Sequence, residues 1–394
     1  MFITGVISFF IWCYLVLARG GFWRADQRLP GYPMPKAWPK IAIVIPARNE
    51  AASISAVISA HLASDYPGEL EIFLVDDSSS DGTADIARAA AEGGHRKVML
   101  VSAPPLEAEW SGKLWAVNAG LAAVARKAPD AAYCLLSDAD IQHGPSLARN
   151  LVAHAETSGD ALVSIMARLD DRGFWGSLLI PAFIFFFQKL YPFSLVNRPR
   201  SQVAGAAGGV MLVRRDVLDD IGGVASIKGA LIDDCALAAR IKNGPPRRTI
   251  SLFLADANAD AISLRDNRSF ASIQNMVTRT AFTQLDYSTM QLAGTLVGMA
   301  LVYLVGPALA LTWPLHRSAT LAGVGLASWA LMVVAYVPTL RLYGQPVWRA
   351  LALPLAAVFY AGFTVISAWQ HWRGRGGHWK GRTYGDAGKP GINS

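Results

Sequence analysis

The stretch that most constrains this chain is residues 131–140, where the apolar run Ala-Ala-Tyr-Cys-Leu-Leu passes through Ser137 into Asp138 and Asp140. A short apolar run of this kind reads as a buried strand, and open α/β sheets bind ligands beyond the carboxyl ends of their strands. Side chains at i and i+2 of an extended segment point the same way, so Asp138 and Asp140 can converge just past the sheet edge. Two hard oxygen ligands there suit Mg²⁺ or Mn²⁺, which in turn hold phosphate oxygens. Two acids one residue apart also occur in ordinary solvated loops, so the rest of the chain has to decide.

Residues 40–169 alternate between strand-like and helix-like segments. A β-branched run at 41–45 stops at Pro46, and Asn49-Glu50 opens a helix reaching about His61. A second strand at 70–75 ends in Asp76-Asp77. The turn residues Ser78-Ser79-Ser80-Asp81-Gly82 supply caps for a helix to about Ala91. A third strand follows at 98–102, a helix from Ser111-Gly112 through Val124, and a fourth strand at 132–136. This alternation predicts an α/β fold with a Rossmann-like, mostly parallel, doubly wound sheet. There is no G-x-G-x-x-G and no Walker loop, which argues against dinucleotide-binding and ATPase readings.

At 53% hydrophobic and 16% charged residues, the chain is greasier than an ordinary soluble enzyme and more charged than a pure membrane bundle. The net charge of +7 is not gathered into nucleic-acid-type basic runs, so no nucleic acid partner is expected. Instead Arg19, Arg24, Arg28, Arg373, Arg375, Lys380 and Arg382 flank apolar segments, as at a cytoplasmic membrane face. Cys13, Cys134 and Cys235 form no C-x-x-C pair and read as reduced. Residues 1–18 read as an uncleaved membrane anchor, because the basic residues follow the apolar run rather than precede it. Residues 19–39 read as a proline-rich linker, and 40–265 as a cytosolic catalytic domain. Residues 266–290 look like an interfacial amphipathic helix, 291–372 like membrane helices with apolar runs at 292–313, 319–340 and 351–369, and 373–394 like a basic tail. Residues 174–196 fit either an interfacial helix or a buried core helix. One anchor and three spans put the tail outside, whereas its positive charge favours the inside.

Three motifs in order, Ile45-Pro46-Ala47-Arg48-Asn49-Glu50, Val75-Asp76-Asp77-Ser78-Ser79-Ser80-Asp81-Gly82-Thr83 and Asp138-Ala139-Asp140, resemble the family 2 glycosyltransferases with a GT-A fold. Trp110-Ser111-Gly112-Lys113-Leu114-Trp115-Ala116, residues 181–192 and Arg279-Thr280-Ala281-Phe282-Thr283-Gln284 look like the hopanoid-biosynthesis-associated glycosyltransferases of bacteria. The ceramide glucosyltransferases are more distant.

That resemblance implies a membrane-bound, metal-dependent, inverting transferase at the bacterial inner membrane, with its catalytic domain in the cytosol. Its donor would be a nucleotide-sugar, UDP-linked, and its acceptor a lipid in the bilayer, of hopanoid or related type. Pro46, Ala47 and Glu50 are implied as ribose and base contacts, and Asp77 as the acid on the uracil edge. Asp138 and Asp140 are implied as ligands of a divalent metal, Mn²⁺ or Mg²⁺, and Asp138 also as a donor contact. Lys113, a cation at a helix N-terminal turn where the helix dipole disfavours one, is implied as a phosphate contact. Asp234 is implied as the base and Asp233 as its support, although both also suit helix capping. The usual Glu-Asp pair is Asp-Asp here, and the Q-x-x-R-W signature is missing, with Met276 and Thr280 at its ends. That speaks against a processive polysaccharide synthase. A polyprenyl-phosphate glycosyltransferase or an exopolysaccharide synthase, and a non-catalytic scaffold that keeps the fold, are the alternatives.

Overall fold

A computed structural model describes residues 1–255 and 260–374, with short strands at 378–379 and 382–383. Most of the basic tail thus lies outside the described residues. The chain divides into two compact units. One contains Gln27–Leu169, Leu195–Arg265 and Gly377–Ser394; the other contains Met1–Asp26, Asp170–Ser194 and Asp266–Gly376. The segment 170–194, read from sequence as lying within 40–265, therefore clusters with the apolar helices.

The first of these units is built on a seven-stranded sheet in the order β3-β2-β1-β4-β7-β6-β8. Its strands are β1 (Ile41–Ala47), β2 (Leu70–Asp76), β3 (Lys97–Ser102), β4 (Tyr133–Ser137), β6 (Leu162–Met166), β7 (Val210–Arg214) and β8 (Ile250–Leu254). All neighbouring pairs are parallel except those of β7, which runs against β4 and β6. A mostly parallel Rossmann-like GT-A sheet is thus present. Every residue of β1 and β4 is buried, because helices cover both faces of such a sheet and its strands read as continuous apolar runs. A separate ladder pairs β5 (Ile141–His143) with β9 (Ala261–Ser263) antiparallel.

The helix Gly112–Lys127 lies close against the sheet. A Cβ at Gly120 would come within 2.5 Å of Val44 and 2.8 Å of Val75, so only glycine permits that approach. Ser111 caps the helix by accepting from the Leu114 N–H (3.3 Å), which fixes the orientation of its first turn and of Lys113.

Among the described residues, four helices are long and apolar enough to cross a membrane: Gly173–Val196, Thr289–Leu311, Ala319–Leu342 and Val347–Trp372. The N-terminal helix, Phe2–Leu17, is shorter; its 16 residues reach about 24 Å, short of a hydrocarbon core of about 30 Å. Small residues set the packing here. A Cβ at Gly325 would meet the Gly306 carbonyl at 2.7 Å and the Ala310 nitrogen at 2.8 Å, the close backbone approach that glycine allows between membrane helices. Trp12 donates its indole N–H to the Val302 carbonyl (2.7 Å), where the helix widens into π-turns over Ala300–Leu304. The 266–290 stretch is not one helix: Phe270–Thr278 ends before Arg279, and a short 3₁₀ turn, Thr283–Leu285, follows.

The helix starting at Gly173 joins β6 to β7, and those strands are hydrogen-bonded neighbours, Val163 facing Leu212. A single crossing would leave the two strands on opposite sides of a bilayer. Connectivity therefore excludes a single crossing for this segment.

Candidate active site

The carboxyl ends of β1 and β2 carry two loops laced together by side chains. Asp81 accepts from the Ala51 N–H (3.0 Å) through Oδ2 and from the Thr83 N–H (3.1 Å) through Oδ1. Burial nudges the Asp81 carboxyl up, but the Thr83 hydroxyl and these N–H groups outweigh it and hold the carboxyl below its usual range. Asn49, at φ 51°, accepts from the Ser80 N–H (2.9 Å), and the Glu50 N–H donates to Thr83 Oγ1 (2.8 Å). Asp77 is 1% exposed; its N–H donates to the Ala47 carbonyl (2.9 Å), and Arg48 lies 3.5 Å from its carboxylate. Ala47 is fully enclosed.

One strand over, β4 ends at Ser137, and Asp138-Ala139-Asp140 turns rather than continuing extended. The Ile141 N–H closes that turn on the Asp138 carbonyl (3.2 Å). The Asp138 N–H donates to the Gly209 carbonyl (3.3 Å) and the Leu264 N–H to the Asp140 carbonyl (2.7 Å), so both acids are pinned by backbone. Lys113 Nζ lies 2.8 Å from Asp138 and 3.4 Å from Asp233. Burial pulls the Lys113 ammonium down, but Asp138, Asp233 and Asp234 together hold it above the ordinary lysine range. Burial raises the Asp138 carboxyl; Lys113 opposes this and the charge of Asp140 adds to it. Arg265 Nη2 lies 3.3 Å from Asp140.

The acids 233 and 234 open the helix Asp233–Asn243. Asp233 is committed to Lys113. Asp234 Oδ2 accepts from the Gly208 N–H (2.8 Å), and Oδ1 from the Cys235 N–H (2.7 Å). Burial and the charge of Asp233 push its carboxyl up to about 6, against the pull of Lys113 and those two N–H groups. Space at Gly208 is tight: a Cβ there would stand 3.3 Å from both Lys113 Nζ and Asp234 Oδ2.

Pro46, Lys113, Ser137, Asp138, Gly208 and Asp233 line one cleft. Asp140 adjoins it beside Asp138 and Asp234 beside Gly208; Ala47 ends β1, Glu50 lies on the loop after it, and Asp77 directly follows β2. Sequence reading did not single out Asp81 or Arg265 for the site. The Asp81 signal was present as turn chemistry; Arg265 has no local motif. His143 is buried: Ser137 Oγ and its Nε2 are 3.0 Å apart, and its ring packs on that of His61 at 4.4 Å.

The residues fit a divalent cation by charge and donor type. Four carboxylates (Asp138, Asp140, Asp233, Asp234) meet two cationic side chains (Lys113, Arg265), leaving two formal negative charges. Among the described residues no three His, Cys, Asp or Glu side chains form a ready-made cage. A divalent ion such as Mg²⁺ can be held by one or two carboxylates, with phosphate oxygens and waters completing its shell.

Comparison with known proteins bears on the sequence of the sheet domain and on the fold. Residues 42–222 match the model of glycosyl transferase family 2. In this stretch, a little under half of the chain, the sequence is similar to family 2 glycosyltransferases. The chain resembles the probable glycosyltransferase YdaM of Bacillus subtilis (strain 168), 34% identical over 114 residues, 28% of this chain and 27% of the relative. It also resembles the undecaprenyl-phosphate 4-deoxy-4-formamido-L-arabinose transferase of Serratia proteamaculans (strain 568), 33% identical over 137 residues, 34% of this chain and 39% of the relative. The chain thus spans well under half the length of these two curated relatives. In fold it is similar to the mannosyltransferase PcManGT of Pyrobaculum calidifontis, solved with GDP-Man and Mn²⁺, at a TM-score of 0.52 and 18% identity over 93% of this chain and 99% of that one.

Proposed function

We propose that the protein transfers a sugar, with inversion, from a nucleotide-sugar to a lipid at the cytoplasmic face of the membrane. The observation that carries this reading is the bridge made by Lys113 between Asp138, at the end of β4, and Asp233, at the start of the following acidic helix. It joins the donor side of the cleft to the acids that would serve the acceptor.

The carboxyl ends of β1 and β2 and the loops after them, with Pro46, Ala47, Glu50 and Asp77, take the nucleoside. A carboxylate such as Asp77 accepts from an imide N–H, which favours a UDP-linked donor. Asp138 and Asp140 would hold Mn²⁺ or Mg²⁺, and when bound the ion neutralises the departing diphosphate. Lys113 stands beside Asp138 to contact the same phosphates. Asp234 takes the proton from the acceptor hydroxyl, because Asp233 is already committed to an ion pair with Lys113. The N–H groups of Gly208 and Cys235 fix the direction of its carboxylate.

The motifs at 110–116 and 279–284 make a hopanoid or related lipid the first acceptor to test. The undecaprenyl-phosphate transferases among the relatives favour a second reading, in which the acceptor is a polyprenyl phosphate. Purified full-length protein, incubated with UDP-sugars, Mn²⁺ and either lipid class, should release UDP only when an accepted lipid is present, and mass spectrometry should find the glycosylated lipid. Release that ignores the lipid, or none with any donor, would sink the proposal.

A further inference from the structure

We propose that Arg265 is a positioning residue for transfer. It holds Asp140 in the free protein and turns to the donor diphosphate once a divalent cation takes that carboxylate. This role presupposes the metal–diphosphate reading above.

The placement of Arg265 is built into the fold. Asp140 immediately precedes β5, and Arg265 follows β9 by two residues. The pairs Ile141–Ser263, Gln142–Ile262 and His143–Ala261 align the two strands. The Leu264 N–H then donates to the Asp140 carbonyl at 2.7 Å, and the Arg265 N–H donates to Ser263 Oγ at 3.3 Å. The three-residue ladder thus sets a guanidinium beside the second acid of the D-x-D pair.

The two cations of the site are held differently. Lys113 is 18% exposed and lies between two carboxylates at 2.8 and 3.4 Å. Arg265 is 35% exposed and makes one contact with Asp140 at 3.3 Å, through Nη2. The first is fixed; the second is exchangeable. A divalent ion on Asp140 would repel the guanidinium and remove its partner. The nearest new anion would be the diphosphate held by that ion, and a planar fork of N–H donors matches phosphate oxygens two at a time.

The test uses full-length protein in detergent and two binding measurements. One is Mn²⁺ alone, followed by electron paramagnetic resonance. The other is UDP, and in parallel GDP, at saturating Mn²⁺, followed by calorimetry. For Arg265→Gln we expect Mn²⁺ alone to bind a few-fold tighter, because its competitor is gone, while the nucleotide binds at least about tenfold weaker. Arg265→Lys, which keeps the charge and loses the fork, should fall between wild type and Arg265→Gln for the nucleotide. A general loss of structure would weaken both ligands together. If wild type binds Mn²⁺ and nucleotide but Arg265→Gln weakens Mn²⁺ alone, or leaves the nucleotide unchanged, the role of Arg265 is wrong and the functional reading stands. If wild type binds neither nucleotide with Mn²⁺, the functional reading falls and takes this role with it.

Discussion

Lys113 Nζ stands 2.8 Å from Asp138 Oδ1, so the cation on the first turn of one helix is locked to the acid at the end of β4. The same ammonium reaches Asp233 at 3.4 Å, so a single side chain organises both ends of the cleft. Lys113→Ala would leave Asp138 and Asp233 without their shared counter-charge and the diphosphate without its contact. We expect kcat/KM to fall about a hundredfold, with a smaller loss for Lys113→Arg. Initial rates of nucleotide release measure this.

The carboxyl of Asp234, at about 6, gives the pH dependence its sign. A base acts when deprotonated, and a carboxyl raised to about 6 keeps its proton below that pH. kcat/KM should therefore rise with pH through about 6 and level off above it, since that quantity reports the free enzyme. Asp233→Asn removes a like charge that helps raise the Asp234 carboxyl, so the midpoint should move down. A pH–rate series on both proteins checks the direction of each change.

Gly208→Ala would place a methyl 3.3 Å from both Lys113 Nζ and Asp234 Oδ2. The neighbours must yield by a few tenths of an ångström, and misplacement on that scale is felt by chemistry before it is felt by folding. We expect kcat to drop roughly tenfold while the melting temperature barely moves. Parallel rate and melting measurements separate the two effects.

Lys242, 1% exposed, donates to the carbonyls of Leu195 (3.3 Å), Val196 (2.6 Å) and Val203 (2.8 Å). It ties the chain leading to Gly208 to the helix that begins at Asp233. Lys242→Met would leave buried carbonyls unpartnered, destabilising the fold by about 1–3 kcal/mol. A thermal melt should show Tm lowered by several degrees, with loss of activity following the loss of fold.

The segment that starts at Gly173 returns the chain to the sheet it left, so its two ends belong on one membrane face. Single cysteines introduced as Arg172→Cys and Asn197→Cys, in a background whose native cysteines are replaced, should both react with a membrane-impermeant reagent from the same side of sealed vesicles. Labelling from opposite sides would contradict the strand pairing between β6 and β7.

Much of this arrangement was legible in the residues because buried parallel strands are written as unbroken apolar runs, as in Ile41–Ala47 and Tyr133–Ser137. Lys113 was legible for another reason: a cation on the first turn of a helix sits against the dipole, and the two nearby carboxylates supply its reason for being there. The β5–β9 ladder was not legible, since three-residue strands carry no periodicity, and neither was Arg265, whose neighbour is far away in sequence. The extended geometry expected for Asp138 and Asp140 gives way to a turn, because backbone bonds to Gly209 and Leu264 hold the loop. The apolar stretch after Gly173 has a composition that fits a buried core, a surface helix or a span. Only the pairing of the strands on either side of it excludes a single crossing.

The most direct measurement of the central claim is sugar transfer to lipid by Asp140→Ala and by Asp234→Ala, compared with wild type at saturating donor and Mn²⁺, with each variant shown to be folded. We expect both to lose at least about a hundredfold in kcat, Asp140→Ala through the cation and diphosphate and Asp234→Ala through the missing base. Full turnover in either variant would contradict the assignment of that aspartate. Full turnover in both would mean that this cleft does not perform the transfer.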